Sequence, residues 1–298
     1  MLKSPQLASE DNTSCYLTYT SYDDLPPVSS SQICTLTLRE LINPIEESEP
    51  SQWTEQFIAV TKLRIIHKYL PEFFYKIFNF IFKKTSKLLQ TSPPKLGKNI
   101  IYLLNEVFSR YQDETSAEYG YVVNYLNCFL PLIIKKTDIV TNSLIKSSCL
   151  ECIETVQDNM LYFDVLIILL NIIKNNKKIS VGKKCIEMFM DIIKNIPFFY
   201  FEDISSKYMT QLVEKVVEMF QLRSSFHMKV CFSIIDMFLN THFDLMRCID
   251  SQEVLENYRM VIKAKEEMNE TKMKIAKEIN LSKDRIHHDK LNYVFSFN

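Results

Sequence analysis

The chain has 298 residues, of which 47% are hydrophobic and 24% charged, and its formal net charge is −1 because 35 Lys and Arg face 36 Asp and Glu. It is long enough to bury a sizeable core, and the balanced charge gives no overall positive field of the kind that attracts nucleic acid. Only three glycines occur. That number disfavours glycine-rich phosphate loops and a β architecture with many turns.

The first 32 residues are rich in Ser, Thr, Asp and Pro and show no hydrophobic periodicity. Such a composition is typical of a flexible arm. The N-terminus contains no apolar core segment, so we expect no signal peptide there. A short ordered segment is predicted at 33–45, and we place the main domain at 33–249.

Amphipathic helices follow from Trp53 onwards, joined by short connections marked by Pro, Asn, Asp or Ser. They are predicted at 53–68, 71–90, 93–111, 118–136, 139–157, 160–174, 178–195, 203–221, 225–240 and near 243–249. Successive helices pair at a period of roughly 35 to 45 residues, as in HEAT repeats. The sequence therefore predicts an all-α protein, an α-solenoid of about six HEAT-like hairpins. A four-helix bundle accounts for fewer than half of these helices.

Residues 250–298 form a charged tail that is helical to about residue 286. Its thin apolar stripe includes Leu255, Tyr258, Met268 and Ile275, and the spacing is irregular for a heptad. We expect an extra helix that lies along the solenoid or bridges to another element, with a dimeric coiled coil as the alternative. The most apolar stretch of the chain, 160–176, is interrupted by polar residues and suits a buried helix better than a membrane span.

No arrangement of residues favours catalysis. The histidines are scattered, and no nucleophile, metal or phosphate motif is present. Cys149 and Cys152 form a C-x-x-C pair without a second pair of ligands, so we expect packed thiols in a reducing cytoplasm. We predict no enzymatic activity, no metal and no cofactor.

Basic residues recur in alternate turns. Within each hairpin of a solenoid the turn emerges on one edge, so these turns are expected to form one surface. The residues of this surface, together with polar neighbours, are Lys95, Lys98, Lys135, Lys136, Asn142, Lys177, Lys178, Lys183, Lys184, Arg223, His227 and Lys229. Solvated loops often carry lysines, which is the simpler reading of each turn taken alone.

Trp53, the only tryptophan, stands at the start of the first predicted helix in "PSQWTEQFIAVTKL". It has two readings. An exposed Trp offers broad apolar contact and an N–H donor to a partner. A buried Trp staples the first helix against the segment at 33–45.

Several stretches in order resemble a TOG domain, the HEAT-repeat module of tubulin-binding proteins, and most closely its CLASP and ciliary TOG-array (crescerin) branch. They include "QWTEQFIAVTKLRII", "SPPKLGKNIIYLLNEVF", "TNSLIKSSCLECIETV" and "ISVGKKCIEMFMDII". The resemblance covers about residues 45–249. The sequence departs from the family where Gly182 and Met228 replace residues that are usually Arg, and where Pro93 and Pro94 occupy the second turn.

The resemblance implies a tubulin-binding or microtubule-binding module in the cytoplasm, on the cytoskeleton, a cilium or an axoneme. Its binding residues would be Trp53, Lys95, Lys98, Asn142, Lys177, Lys178, Lys183, His227 and Lys229. The alternative is a HEAT-type scaffold that binds another protein without touching tubulin. Other cytoskeletal or axonemal proteins are possible partners. Neither nucleic acid nor a membrane is expected as a partner, because the basic turns have little aromatic interleaving and no span is present.

Overall fold

The computed structural model describes residues 18–27, 38–46, 52–110, 118–139, 142–176, 178–196, 206–240, 246, 249 and 251–295. Eleven helices and no strand occur within these ranges. They are α1 (Leu38–Glu46), α2 (Trp53–Tyr69), α3 (Pro71–Thr91), α4 (Pro94–Phe108), α5 (Tyr119–Ile139), α6 (Ser143–Asn159), α7 (Tyr162–Asn175), α8 (Ile179–Asn195), α9 (Ser206–Gln221), α10 (Ser225–Asn240) and α11 (Gln252–Phe295).

Local sequence explains several of these boundaries. Pro71 and Pro94 stand in the first turns of α3 and α4, where a missing N–H costs nothing and the fixed φ suits a helix. The side chain of Asn142 accepts hydrogen bonds from the backbone N–H groups of Leu144 and Ile145, which caps α6. Helices α2 and α3 are separated by Leu70 alone, so they must turn back on each other.

The helices divide into two compact units, Met1–Asn195 and Ile196–Asn298. In the first unit α2, α4 and α6 pack side by side in one layer, and α1, α3, α5 and α7 pack in a second layer. Helix α8 packs on α7 and α5. The core between the layers is apolar, with Phe57, Phe78, Phe108 and Phe129 fully buried. As predicted for the apolar stretch at 160–176, α7 is a buried helix.

The second unit contains α9, α10 and α11, and α9 packs on both of the others. Tyr258 and Val261 of α11 are buried. Lys265 of α11, only 6% exposed, pairs with Asp236 of α10. Residues 271–278, further along α11, are all exposed to solvent. Among the side chains described on this helix, the covered ones therefore lie before residue 271.

The predicted all-α class, built as an α-solenoid, is confirmed. The helices from α2 to α10 match the predicted ones within a few residues, and the helix expected near 243–249 lies largely outside the described residues. The boundary between the two units falls inside the range 33–249 that the sequence placed in one domain.

The predicted flexible arm requires a correction at residues 18–27. They are packed on α2 and α4, and Leu25 is only 2% exposed. The remainder of the arm, 1–17 and 28–32, lies outside the described residues. No helix that the structure describes combines the length and apolar character of a membrane span.

Candidate interaction surface

A buried cluster of polar side chains joins α2 to α4. Arg64, 2% exposed, donates from Nε to Glu106 Oε1 at 2.7 Å and from Nη1 to Asn99 Oδ1 at 3.1 Å. Asn99 in turn donates to the Phe57 carbonyl oxygen and to Thr61 Oγ1, at 3.1 and 2.9 Å. The cluster therefore fixes α2 against α4 through directional bonds as well as apolar contact.

The charges in this cluster are paired but largely out of water. Burial raises the pKa of Glu106, while the hydrogen bond and charge of Arg64 oppose that shift. Removing one partner of a buried pair leaves an uncompensated charge, which costs far more than the pair contributes. The sequence analysis missed this pair. The signal was available, because Arg64 follows Phe57 and Val60 at helical spacing on the buried side of α2.

Residues Tyr19–Leu25, called the N-terminal segment below, lie in the groove between α2 and α4. The Tyr19 ring packs edge-on against Phe57 and Tyr102, with ring centroids 6.2 and 6.0 Å away. The Tyr19 hydroxyl donates to the Lys95 carbonyl oxygen at 3.4 Å. At the other end of the groove the Tyr69 hydroxyl donates to the Leu25 carbonyl oxygen at 3.0 Å. The segment thus follows α2 along most of its length.

The starts of α2 and α4 lie at one edge of the first unit, called the turn edge below. Asn99, in the first half of α4, bonds Phe57 and Thr61 in the first half of α2, so the two helices run in the same direction. Ser180, at the start of α8, donates a hydrogen bond to Asp138, at the end of α5. Because α5 ends where the turn to α6 begins, the start of α8 belongs to the same edge.

Trp53 occupies the first position of α2 on this edge and is partly exposed. This intermediate exposure corresponds neither to a fully buried staple nor to a fully exposed contact. The segment at 33–45 was predicted to pack against a buried Trp53. Helix α1, which includes most of that segment, packs on α2 and α3. Both readings of Trp53 therefore remain predictions.

Lys95 and Lys98 stand in the first turns of α4 and are partly covered. The Lys98 ammonium lies over the Tyr19 ring at 4.6 Å from its centroid and over the Tyr102 ring at 5.2 Å. A cation over an aromatic ring is attracted to the negative quadrupole of its face. Lys98 therefore contacts the N-terminal segment, a role that was not predicted from the sequence.

The remaining predicted residues of the first unit differ in their engagement. Asn142 caps α6, and its side-chain oxygen is used there. Lys178 and Lys183 are exposed at the start of α8. Lys177 lies outside the described residues. The turn edge thus brings together Trp53, Lys95, Lys98, Asn142, Lys178 and Lys183.

His227 and Lys229 belong to the second unit, in the first turns of α10. Lys229 is exposed, and the His227 ring packs against Phe226 at 5.5 Å between centroids. The turn before α10 contains Arg223, whose φ of 51° is left-handed. A role for these residues alongside those of the first unit stays a prediction.

The thiols in the described residues are mostly buried. Cys149 and Cys152 are fully buried, as predicted for packed thiols, and Cys185 and Cys231 are likewise inaccessible. Burial raises the pKa of Cys149 to about 11 and that of Cys185 to about 12. Such thiols stay protonated at neutral pH and are poor nucleophiles. No group of side chains in the described ranges has the arrangement of a metal site.

Comparisons with known proteins add little to this geometry. No model of a known protein family matches the chain, and no curated protein matches it by sequence. Among solved structures, the chain is similar to a designed armadillo repeat protein, with 12% identity and a TM-score of 0.36. That match covers 76% of this chain and 99% of the designed one.

Proposed function

We propose that the protein is a non-enzymatic interaction module that binds the acidic surface of tubulin or of the microtubule lattice through its turn edge. The observation that carries this proposal is the convergence of Trp53 with the lysines of α4 and α8 at one edge of the first unit. A partly exposed aromatic residue and exposed cations on one edge suit a partner that offers an apolar spot and carboxylates.

The lysines of the proposed surface differ in whether they are exposed to solvent or in contact with the chain itself. Lys178 and Lys183 are exposed and can meet a partner without rearrangement. Lys98 is partly covered and its ammonium lies over the Tyr19 ring, so pairing with a carboxylate would compete with that contact. Lys177, His227 and Lys229 complete the proposed set on the basis of the resemblance alone.

The second candidate is a scaffold for another protein with no tubulin contact. It is favoured by the structural roles of residues that the tubulin proposal uses. Asn142 caps a helix, and Lys98 is engaged within the chain. Both candidates predict protein binding without catalysis, and they differ in the partner.

Binding should be measured by co-sedimentation with microtubules, beside gel filtration with unpolymerised tubulin. On the proposal, Trp53→Ala weakens binding by about 2 kcal/mol while melting changes little, as for an interface anchor. If Trp53 is a staple, the same substitution instead costs about 3 kcal/mol or more of stability. Melting and binding measured on one sample separate the two. Absence of binding by the intact protein to both forms of tubulin rejects the proposal.

The charge contribution has a matched control within the chain. Lys178→Glu with Lys183→Glu reverses two exposed charges on the turn edge. Lys76→Glu with Lys194→Glu makes the same change at exposed positions near the start of α3 and the end of α8, at the opposite edge. Only the first pair should reduce binding, because steering depends on where the charge lies. Equal losses from both pairs would indicate a nonspecific charge effect.

A further inference from the structure

Side chains of α2 donate hydrogen bonds to the main chain of the N-terminal segment. Arg64 Nη2 donates to the Thr20 carbonyl oxygen at 2.8 Å. Lys68 Nζ donates to the carbonyl oxygens of Tyr22 and Asp23 at 2.7 and 2.8 Å. The Tyr69 hydroxyl donates to the carbonyl oxygen of Leu25, the last residue of the segment. Three residues of α2 therefore donate hydrogen bonds to four carbonyl groups. Every peptide has such carbonyl groups.

The side chains of the segment supply the specific contacts. Leu25 is almost fully buried, and Tyr19 packs between two aromatic rings at the other end. Tyr22 is partly buried, with the Lys68 ammonium over its ring at 5.3 Å. Asp23 and Asp24 face solvent. The anchors are therefore aromatic, aromatic and leucine at a spacing of three residues each.

Part of the groove is held by bonds that do not involve its occupant. The Arg64 guanidinium donates to Glu106 and Asn99 within α2 and α4, so we expect these bonds to persist when Thr20 leaves. A site that is already held in its binding geometry loses little conformational freedom when a ligand enters. The N-terminal segment contributes no helix or strand of its own, so its departure breaks no ladder of backbone bonds.

The segment is also only partly covered by the protein. Tyr19 is 39% exposed, and the turn at Tyr22–Leu25 is closed by a single long backbone bond of 3.4 Å. Its attachment rests on a few hydrogen bonds and three anchoring side chains. Each such hydrogen bond contributes only modestly to stability, and segments without secondary structure open at a lower free energy than the core.

We propose that the groove between α2 and α4 is a binding site for a short segment of another protein, with the spacing Tyr-x-x-Tyr-x-x-Leu, and that the N-terminal segment is its competing occupant within this chain. Of the groove residues, Arg64, Lys68 and Tyr69 do not belong to the turn edge, whereas Lys95 and Lys98 contact Tyr19 and do. The proposal does not require tubulin as a partner, because it is tested with a peptide.

The test uses the full chain and a labelled synthetic peptide of residues 17–27. Leu25→Asp in the chain places a charge in the apolar pocket of the segment, which should release it from the groove. We expect the peptide to bind this variant at least ten-fold more tightly than the unaltered chain, by fluorescence anisotropy. Lys68→Met added to the variant should weaken peptide binding at least ten-fold. A peptide with aspartate at its leucine position is the control and should not bind.

A second version of the experiment lets the chain fold with its native segment and removes that segment afterwards. A protease site placed within residues 28–34 allows the segment to be cut from the folded chain, after which the labelled peptide should replace it. Failure of the peptide to enter the groove in both versions overturns the proposal, as does binding that is unaffected by Lys68→Met. Dimers formed by exchange of N-terminal segments between copies would also overturn it, since the occupant would then be a second copy.

Discussion

The starts of α4 and α8 carry similar basic residues but differ in what surrounds them. At α4 the Lys98 ammonium lies over the rings of Tyr19 and Tyr102, and the groove beside it is filled by the N-terminal segment. At α8, Lys178 and Lys183 point into solvent. A basic turn in a helical repeat can thus serve the fold of its own chain or remain available to a partner. The sequence of the turn does not distinguish the two cases.

The largest difference between the two regions should appear on removal of Arg64, which lies beneath the N-terminal segment. Arg64→Ala should lower the free energy of unfolding by about 3–5 kcal/mol, because Glu106 is left buried without its cation. Urea denaturation measures this change. Removing both charges, in Arg64→Met with Glu106→Leu, should recover much of the loss. Lys183→Ala is the matched change at the exposed start of α8. A comparable loss in the free energy of unfolding for this variant would contradict the difference between the two regions.

The region beneath the N-terminal segment should also make the stability of the protein depend on pH. Burial, with the nearby Arg110 charge, lowers the pKa of His67 from 6.5 to about 3. Below pH 6.5 the unfolded chain therefore binds a proton that the folded chain does not, so stability is complete above that pH and falls as the solution becomes more acidic. Between pH 7 and pH 5 the loss from this one group is about 2 kcal/mol.

His67→Gln supplies the control for the pH dependence. Its thermal or urea unfolding should be less sensitive to pH between 5 and 7 than that of the unaltered chain, even if the variant is less stable throughout. An identical pH dependence in both proteins would show that His67 gains its proton over the same pH range in the folded and unfolded chains, contrary to its burial beside Phe74 and Tyr75.

Asn142 tests whether a residue on the turn edge serves the fold or a partner. Asn142→Ala should lower stability by about 1 kcal/mol through loss of the cap on α6. Asn142→Ser retains a capping oxygen and should lose much less. If the serine variant is stable but binds tubulin more weakly, Asn142 contributes to the partner as well. Unchanged binding would confine its role to the cap.

The smallest effect is expected from single charge reversals. Lys178→Glu should slow association with an acidic partner several-fold at low salt, with the difference shrinking as ionic strength rises. Lys98→Glu should in addition cost about 0.5 to 1 kcal/mol of stability, since it removes a cation from two aromatic faces. Stopped-flow association rates and thermal melts on both variants distinguish the available lysine from the engaged one.

Helical periodicity was sufficient to predict the helices because each must bury one face. Pro71 and Pro94, at the starts of α3 and α4, lie within one residue of the predicted helix starts at 71 and 93. Periodicity does not reveal which polar side chains are paired. Arg64 and Glu106 are 42 residues apart, and their contact depends on the alignment of α2 with α4.

The N-terminal segment was assigned to a flexible arm because its composition is polar and aperiodic. Composition describes the average tendency of a stretch, whereas here two tyrosines and one leucine meet cavities built by distant residues. The candidate turn edge was predictable as a set of turns on one side. Contact with the N-terminal segment decides which lysines of the turn edge are available to a partner. The sequences of the turns alone do not show that contact.

Helix α11 has a mechanical consequence for the second unit. With 44 residues at 1.5 Å of rise each, it is about 66 Å long. A compact body of about 100 residues has a radius of gyration of only about 13 Å. A continuous rod of this length must extend beyond such a body, and its exposed stretch at 271–278 is consistent with that. A group attached near residue 295 would therefore lie far from the core of that unit.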